Sequence, residues 1–198
     1  MIPPQPFRAV VVGCSAGGLE ALRQLLGPLP ATFALPIIVV AHTSTEGPSM
    51  LACLLDRVTA LPVVEAEDKM PVEAGRVHIA PSGYHLLIEN DETFSLSVDD
   101  KVCNSRPSID VLFESAADVW SDRLIGVVLT GANNDGTNGL KTIKTGGGYA
   151  IVEDPETAFA KAMPASAIAG VAADCVLPLA AIADHLTQLS MDDGRSRR

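Results

Sequence analysis

The sequence is short of aromatic residues, of positive charge and of paired cysteines, and each shortage excludes something. Aromatics are only 4% of the 198 residues while hydrophobic residues reach 47%, so the core has to be built from aliphatic side chains. With 19% charged residues beside that apolar share, a disordered chain is excluded. Lys and Arg number 14 against 24 Asp and Glu, a formal charge of −10. Such a balance offers no basic face for counterion release, which argues against nucleic acid as a partner. Cys14, Cys53, Cys103 and Cys175 form no CxxC pair, so neither a zinc site nor a disulfide framework is suggested. That usage fits a reduced, cytoplasmic protein.

Long hydrophobic runs are missing as well. Residues 24–45 carry no formal charge, but Gly27, Pro28, Pro30, Pro36 and His42 interrupt them, which suits a helix, a loop and a strand better than a membrane span. The opening MIPPQPFRAV lacks the charged and apolar regions of a signal peptide.

What is present is alternation. Short β-branched runs at residues 8–12 (RAVVV), 36–41 (PIIVVA), 124–129 (LIGVVL), 149–152 (YAIV) and 174–177 (DCVL) are apolar at consecutive positions, as strands buried on both faces must be. Helical spacing fills the gaps: Leu19, Leu22, Leu25 and Leu26; Leu51, Leu54, Leu55 and Val58, with Pro48 near the start; Ile109, Leu112, Phe113, Ala116 and Trp120; and Leu179, Ile182, Leu186 and Leu189. Residues 77–80, 84–89 and 93–98 break the alternation and read as an antiparallel meander. The fold class is therefore α/β, a three-layer α/β/α sandwich around a mainly parallel sheet. One domain is expected over residues 1–190, followed by a polar, frayed tail at 191–198.

Between the first strand and first helix stands Gly13–Cys14–Ser15–Ala16–Gly17–Gly18, which satisfies G-x-S-x-G. A serine there sits at the carboxyl edge of the sheet, where open α/β folds bind ligands, and N–H groups opening the next helix can stabilise an anion. The phosphate-binding G-x-G-x-x-G and Walker A patterns are both absent, and a plain tight turn is the competing reading. Cys14 reads as a small buried residue rather than a nucleophile. A serine nucleophile needs a base and an orienter. Of the four histidines, His42 ends the second strand run at the same edge. His78 and His85 lie in strand-like segments and read as structural, and His185 falls in the last helix, on its surface. Asp135 lies in the loop TGANNDG after the run LIGVVL, a third loop at that edge, with N-capping as the competing reading. The chain order Ser…His…Asp disfavours an α/β-hydrolase.

These segments resemble the catalytic domain of the chemotaxis protein-glutamate methylesterases, the CheB family. The likeness is carried by VVGCSAGGLEAL, IVVAHTSTEGPSML, VHIAPSGYHL, SRPSIDVLFESAA, LTGANNDGTNGL and EDPETAFAKAMPASAI, roughly residues 7–186. The resemblance implies a Ser15 nucleophile, a His42 base and an Asp135 orienter. It also implies hydrolysis of glutamate γ-methyl esters on cytoplasmic chemoreceptor helices, in many relatives with glutamine deamidation, and neither metal nor organic cofactor. N–H groups near Ala16 and Ala132 are candidates for the oxyanion site. Ala16 stands where the family often has Thr, and Ala132–Asn133 where it often has Met-Gly. The family's enzymes usually carry an N-terminal receiver domain, and only about six residues precede the first strand here, too few for a domain. A stand-alone enzyme or a fragment of a longer chain is therefore expected.

Arg106, before the helix PSIDVLFESAA, is a candidate for pairing with carboxylates of an acidic substrate, with an ordinary salt bridge or helix-end packing as the alternative. Two other functions stay open: a non-catalytic binding module of the same fold, and a hydrolase for another ester. The oligomeric state is open too.

Overall fold

The computed structural model describes residues 6–42 and 50–191. The strands are β1 (Ala9–Cys14), β2 (Ile37–Ala41), β3 (Val63–Glu65), β4 (Val77–Ile79), β5 (His85–Ile88), β6 (Phe94–Ser97), β7 (Leu124–Val128), β8 (Tyr149–Glu153) and β9 (Cys175–Leu177). The helices are α1 (Gly18–Leu26), α2 (Met50–Asp56), α3 (Ile109–Trp120), α4 (Thr137–Thr145), α5 (Ala162–Gly170) and α6 (Leu179–Met191). Seven strands form one parallel sheet in the order β3-β4-β2-β1-β7-β8-β9, and β5 and β6 form a separate antiparallel hairpin.

The consecutive apolar runs of β1, β2, β7 and β8 are explained by burial on both faces; β9, expected to be buried likewise, lies at the edge of the sheet and leaves Val176 exposed. Val10, Val12, Ile37, Val39, Ile125, Val127 and Ile151 pack toward α1, α2 and α6, through Leu22, Leu25, Leu55, Ile182 and Leu186 among others. Their strand neighbours Val11, Ile38, Val40, Val128, Ala150 and Val152 face the opposite layer, where α3, α4, α5 and the hairpin supply Phe113, Trp120, Leu140, Met163 and Phe94. Successive side chains of a strand point to opposite faces, so a strand sandwiched between two layers is apolar at consecutive positions. Each large aliphatic side chain so buried contributes about 1.5–3 kcal/mol.

Two expectations are corrected here. Residues 77–79 are not the first arm of a meander: β4 pairs in parallel with both β2 and β3, leaving only β5 and β6 antiparallel. Strand β3 has no counterpart in the sequence reading, because it is a three-residue edge strand, half-buried at Val64 and Glu65, with no apolar run to betray it. Met191, expected in the tail, closes α6. Pro48, residues 43–49 of the histidine segment and residues 192–198 lie outside the described residues. No helix of the described residues is long and apolar enough to cross a membrane.

Candidate active site

Strand β1 lies between β2 and β7, so the chain leaves β1 first toward one side of the sheet and later returns on the other. A crevice at the carboxyl ends forms at such a switch point. Cys14 is level with Ala41 across β1–β2, and the His42 N–H donates to the Cys14 carbonyl at 3.0 Å, so Ser15 and His42 leave neighbouring strands side by side. On the other flank the Ser15 N–H donates to the Thr130 carbonyl at 2.9 Å. Gly17 then turns the chain into α1 with φ of 80°, a left-handed value that a side chain rarely takes, and a Cβ there would meet Phe159 at 2.7 Å. Cys14 is buried, and burial, with Glu153 nearby, pushes its thiol up to about 12, so it offers no thiolate.

Asp135 is the most heavily engaged side chain of the site. It is fully buried, and its Oδ2 accepts hydrogen bonds from His42 Nε2 at 2.8 Å and from the Ile109 N–H at 2.8 Å. Its Oδ1 accepts from Ser108 Oγ at 2.9 Å and from the N–H groups of Asp110 and Gly136, both at 3.0 Å. Burial alone would raise this carboxyl, but hydrogen bonds from His42, from the Asp110 and Ile109 N–H groups and from Ser108 outweigh it and hold it low. Asp135 thus caps a helix, as one reading of the sequence allowed, but the helix is α3 rather than its own. Asp110, in the first turn of α3, returns the favour by accepting the Gly139 N–H of α4 at 2.8 Å. The two helix N-termini therefore satisfy each other's orphan donors, and the positive ends of both dipoles surround the carboxylates.

A carboxylate can only accept, so His42 Nε2 carries the proton and Nδ1 presents its lone pair. The Ser105 Oγ lies 3.4 Å from that Nδ1. Among the described residues the Ser15 hydroxyl and the N–H groups of Ala16 and Ala132 form no hydrogen bond. Asn133 accepts the Asp135 N–H at 3.3 Å through its Oδ1, in an Asx turn that braces the loop.

Three residues that sequence reasoning passed over hold this arrangement. Ser108 stands at the N-cap position of α3, but its hydroxyl reaches across to Asp135 instead. Thr130 knots the serine loop: its N–H donates to Glu153 Oε2 at 2.8 Å, its Oγ1 donates to the Ala16 carbonyl at 2.8 Å, and the same oxygen accepts the Ala160 N–H at 2.8 Å. Ser105, in the segment before α3, brings its hydroxyl to His42. A polar residue before an apolar helix was the available signal for Ser108; nothing local signalled the other two.

Arg106 lies beside the site and, among the described residues, forms no ion pair. Its Nη1 donates to the carbonyls of Val98 at 2.6 Å and Asp99 at 2.9 Å. His85 continues the same staple: its Nε2 donates to the Asp100 carbonyl at 3.0 Å and its Nδ1 accepts the Ser108 N–H at 3.2 Å. His78 is buried against Phe94. His185, expected on the surface, is half-buried with its Nε2 3.1 Å from the Tyr149 hydroxyl, far from the site in the layer of α6. Cys103, Asp110 and Asp135 offer donor atoms within 4.8 Å of one another. Both carboxylates are already spent on N–H groups, a poor donor set for a cation. Beside the serine turn a cavity of about 310 Å³ opens between Gly17, Thr130, Glu153, Phe159 and Leu179, and neither His42 nor Asp135 lines it.

Fold and site together define a class: an α/β protein that presents a serine, a histidine and an aspartate on the three loops around its switch point, with the last two hydrogen-bonded. The family model described as CheB methylesterase matches residues 10–186, and the chain belongs to that family. A Leptospira interrogans relative is 46% identical over 191 residues, covering 96% of this chain and 99% of the relative. The protein-glutamate methylesterase/protein-glutamine glutaminase of Symbiobacterium thermophilum is 40% identical over 92% of this chain, which spans 51% of that protein. The crystal structure of the Thermotoga maritima CheB methylesterase catalytic domain superposes with a TM-score of 0.89 at 39% identity, covering 92% of this chain and 98% of that one.

Proposed function

We propose that this protein hydrolyses γ-methyl esters of glutamate on the cytoplasmic helices of chemoreceptors, releasing methanol, and that it works in the cytoplasm. The observation that carries the reading is the 2.8 Å bond between His42 Nε2 and Asp135, formed beside the strand end that presents Ser15. Ser15 Oγ attacks the ester carbonyl while His42 Nδ1 takes its proton. Asp135 fixes the tautomer that leaves Nδ1 free and stabilises the imidazolium. The Ala16 and Ala132 N–H groups receive the oxyanion. His42 then protonates the departing methoxide, and water cleaves the acyl-enzyme. Arg106 contributes by holding residues 98–99, which keeps the segment leading to Ser105 and Ser108 in place.

The names of the Symbiobacterium and Thermotoga relatives join methylesterase to glutaminase activity. The same attack on a γ-carboxamide releases ammonia in place of methanol, so deamidation belongs to this proposal. The test is methanol release from methyl-labelled chemoreceptor membranes by wild type and Ser15→Ala. Release that falls by at least about 10³-fold in the variant supports the reading. No release from wild type, together with no labelling of Ser15 by a serine-directed phosphonate, overturns it in favour of a binding module.

A further inference from the structure

The side of His42 that accepts protons is shared. With Nε2 committed to Asp135, every proton transfer runs through Nδ1, and the hydroxyl facing that atom is Ser105 Oγ at 3.4 Å. Considerable structure is devoted to placing it. Val102 and Ser105 exchange both backbone hydrogen bonds, at 3.2 and 2.8 Å, around a two-residue turn. Its central residues, Cys103 and Asn104, both take left-handed φ, at 49° and 61°. Asn tolerates that region, whereas Cys is held there at a cost, as at functional turns where surrounding structure over-determines the backbone. The preceding carbonyls of Val98, Asp99 and Asp100 are clamped by Arg106 and His85, so the turn hangs from a fixed strap.

Resting on the esterase reading, we infer that Ser105 is the positioning residue for the water that cleaves the acyl-enzyme. During acylation the Ser15 hydroxyl is itself the group that gives its proton to Nδ1, so no second hydroxyl is needed. Once Ser15 Oγ is esterified it has no proton to give, and an attacking water has to be held at Nδ1 by something else. The Ser105 hydroxyl is the described side chain placed to do so. In the step, the water oxygen bonds to the acyl carbonyl carbon and its proton passes to His42 Nδ1. The tetrahedral adduct then collapses by breaking its bond to Ser15 Oγ, which recovers the proton from Nδ1. Acid and regenerated serine are the products.

Removal of the hydroxyl therefore slows the second half-reaction and spares the first, a split that loss of structure does not produce. The experiment is stopped-flow hydrolysis of 4-nitrophenyl acetate by wild type, Ser105→Ala, Ser105→Thr and Ser15→Ala, with acyl-enzyme read by intact mass and folding by Tm. Ser105→Ala is expected to keep the burst rate within about twofold while steady turnover falls at least about tenfold and acetylated Ser15 accumulates. Ser105→Thr restores turnover, and hydroxylamine, a nucleophile that needs less help from a base, relieves Ser105→Ala. A burst and a steady rate that fall together, or neither changing, overturn the inference while the wild-type burst leaves the esterase reading standing. A wild type that forms no Ser15-dependent acyl-enzyme removes both.

Discussion

Asp135 and Glu153 are two carboxylates at the same edge of the same sheet, one beyond β7 and one at the end of β8, and both are completely buried. They nevertheless differ in charge preference. Asp135 accepts five hydrogen bonds, three of them from backbone N–H groups, and is held below the ordinary carboxylate range. Glu153 accepts the Thr130 N–H at 2.8 Å and a long contact from Thr157 Oγ1 at 3.4 Å, and burial raises it despite them. Burial is the same for both; the supply of donors is not. A buried carboxylate stays ionised when enough aligned donors replace its water, and the N-terminus of α3 is what gives Asp135 that number.

The largest expected effect breaks the Asp135 side of the comparison. In Asp135→Asn the amide nitrogen faces at least two donors whichever way the side chain is turned, which costs on the order of 2–4 kcal/mol. Ester hydrolysis falls about 10⁴-fold, since His42 loses the acceptor that sets its tautomer. Because the folded carboxyl is held low, its stabilisation is present above the unfolded value of about 3.9 and is lost as pH falls through the folded one. Acid titration of stability by circular dichroism is expected to show that loss in wild type and not in the variant.

Glu153→Gln sharpens the other side and reverses the sign. A raised folded value means that stability is fully present below about 4.3 and declines as pH rises through the folded pKa. Glutamine keeps an acceptor for Thr130 and offers Thr157 a donor, so the Tm of the variant is expected to match wild type at pH 4 and to exceed it at pH 7. A loss of Tm at pH 7 that shrinks toward acid pH would show Glu153 to behave as Asp135 does. The smallest effect is that of Thr157→Val, which removes one weak donor to Glu153 and the acceptor for the Leu179 N–H. About 1 kcal/mol of stability is expected to go, measured by urea unfolding, with hydrolysis almost unchanged.

Much of the architecture was legible because it follows from local pattern. Strands β1, β2, β7, β8 and β9 announced themselves as consecutive apolar runs, and α1, α2, α3 and α6 as apolar stripes at helical spacing. Strand β4 was visible as a strand but given an antiparallel pairing, since VHI carries nothing that distinguishes a parallel partner 40 residues away from a hairpin neighbour. Helix α5 emerged only through the family resemblance: AMPASAIAG is small and apolar on nearly every side and leaves no stripe to read. The serine loop, histidine and aspartate were found through their positions after strands, which is a topological property the alternation of elements already carries.

The sequence alone determined the layered α/β class, the strands of its centre and the three loops that meet at the switch point, because burial on two faces writes itself into consecutive residues. The partners of those side chains were decided only in three dimensions. That Asp135 caps α3 rather than α4, that Glu153 holds Thr130, and that Ser105 faces His42 Nδ1 all join residues 23 to 63 positions apart. A hydrogen bond is short and directional, so its partner is chosen by the final packing of helices and strands and leaves no period in the chain that specifies it.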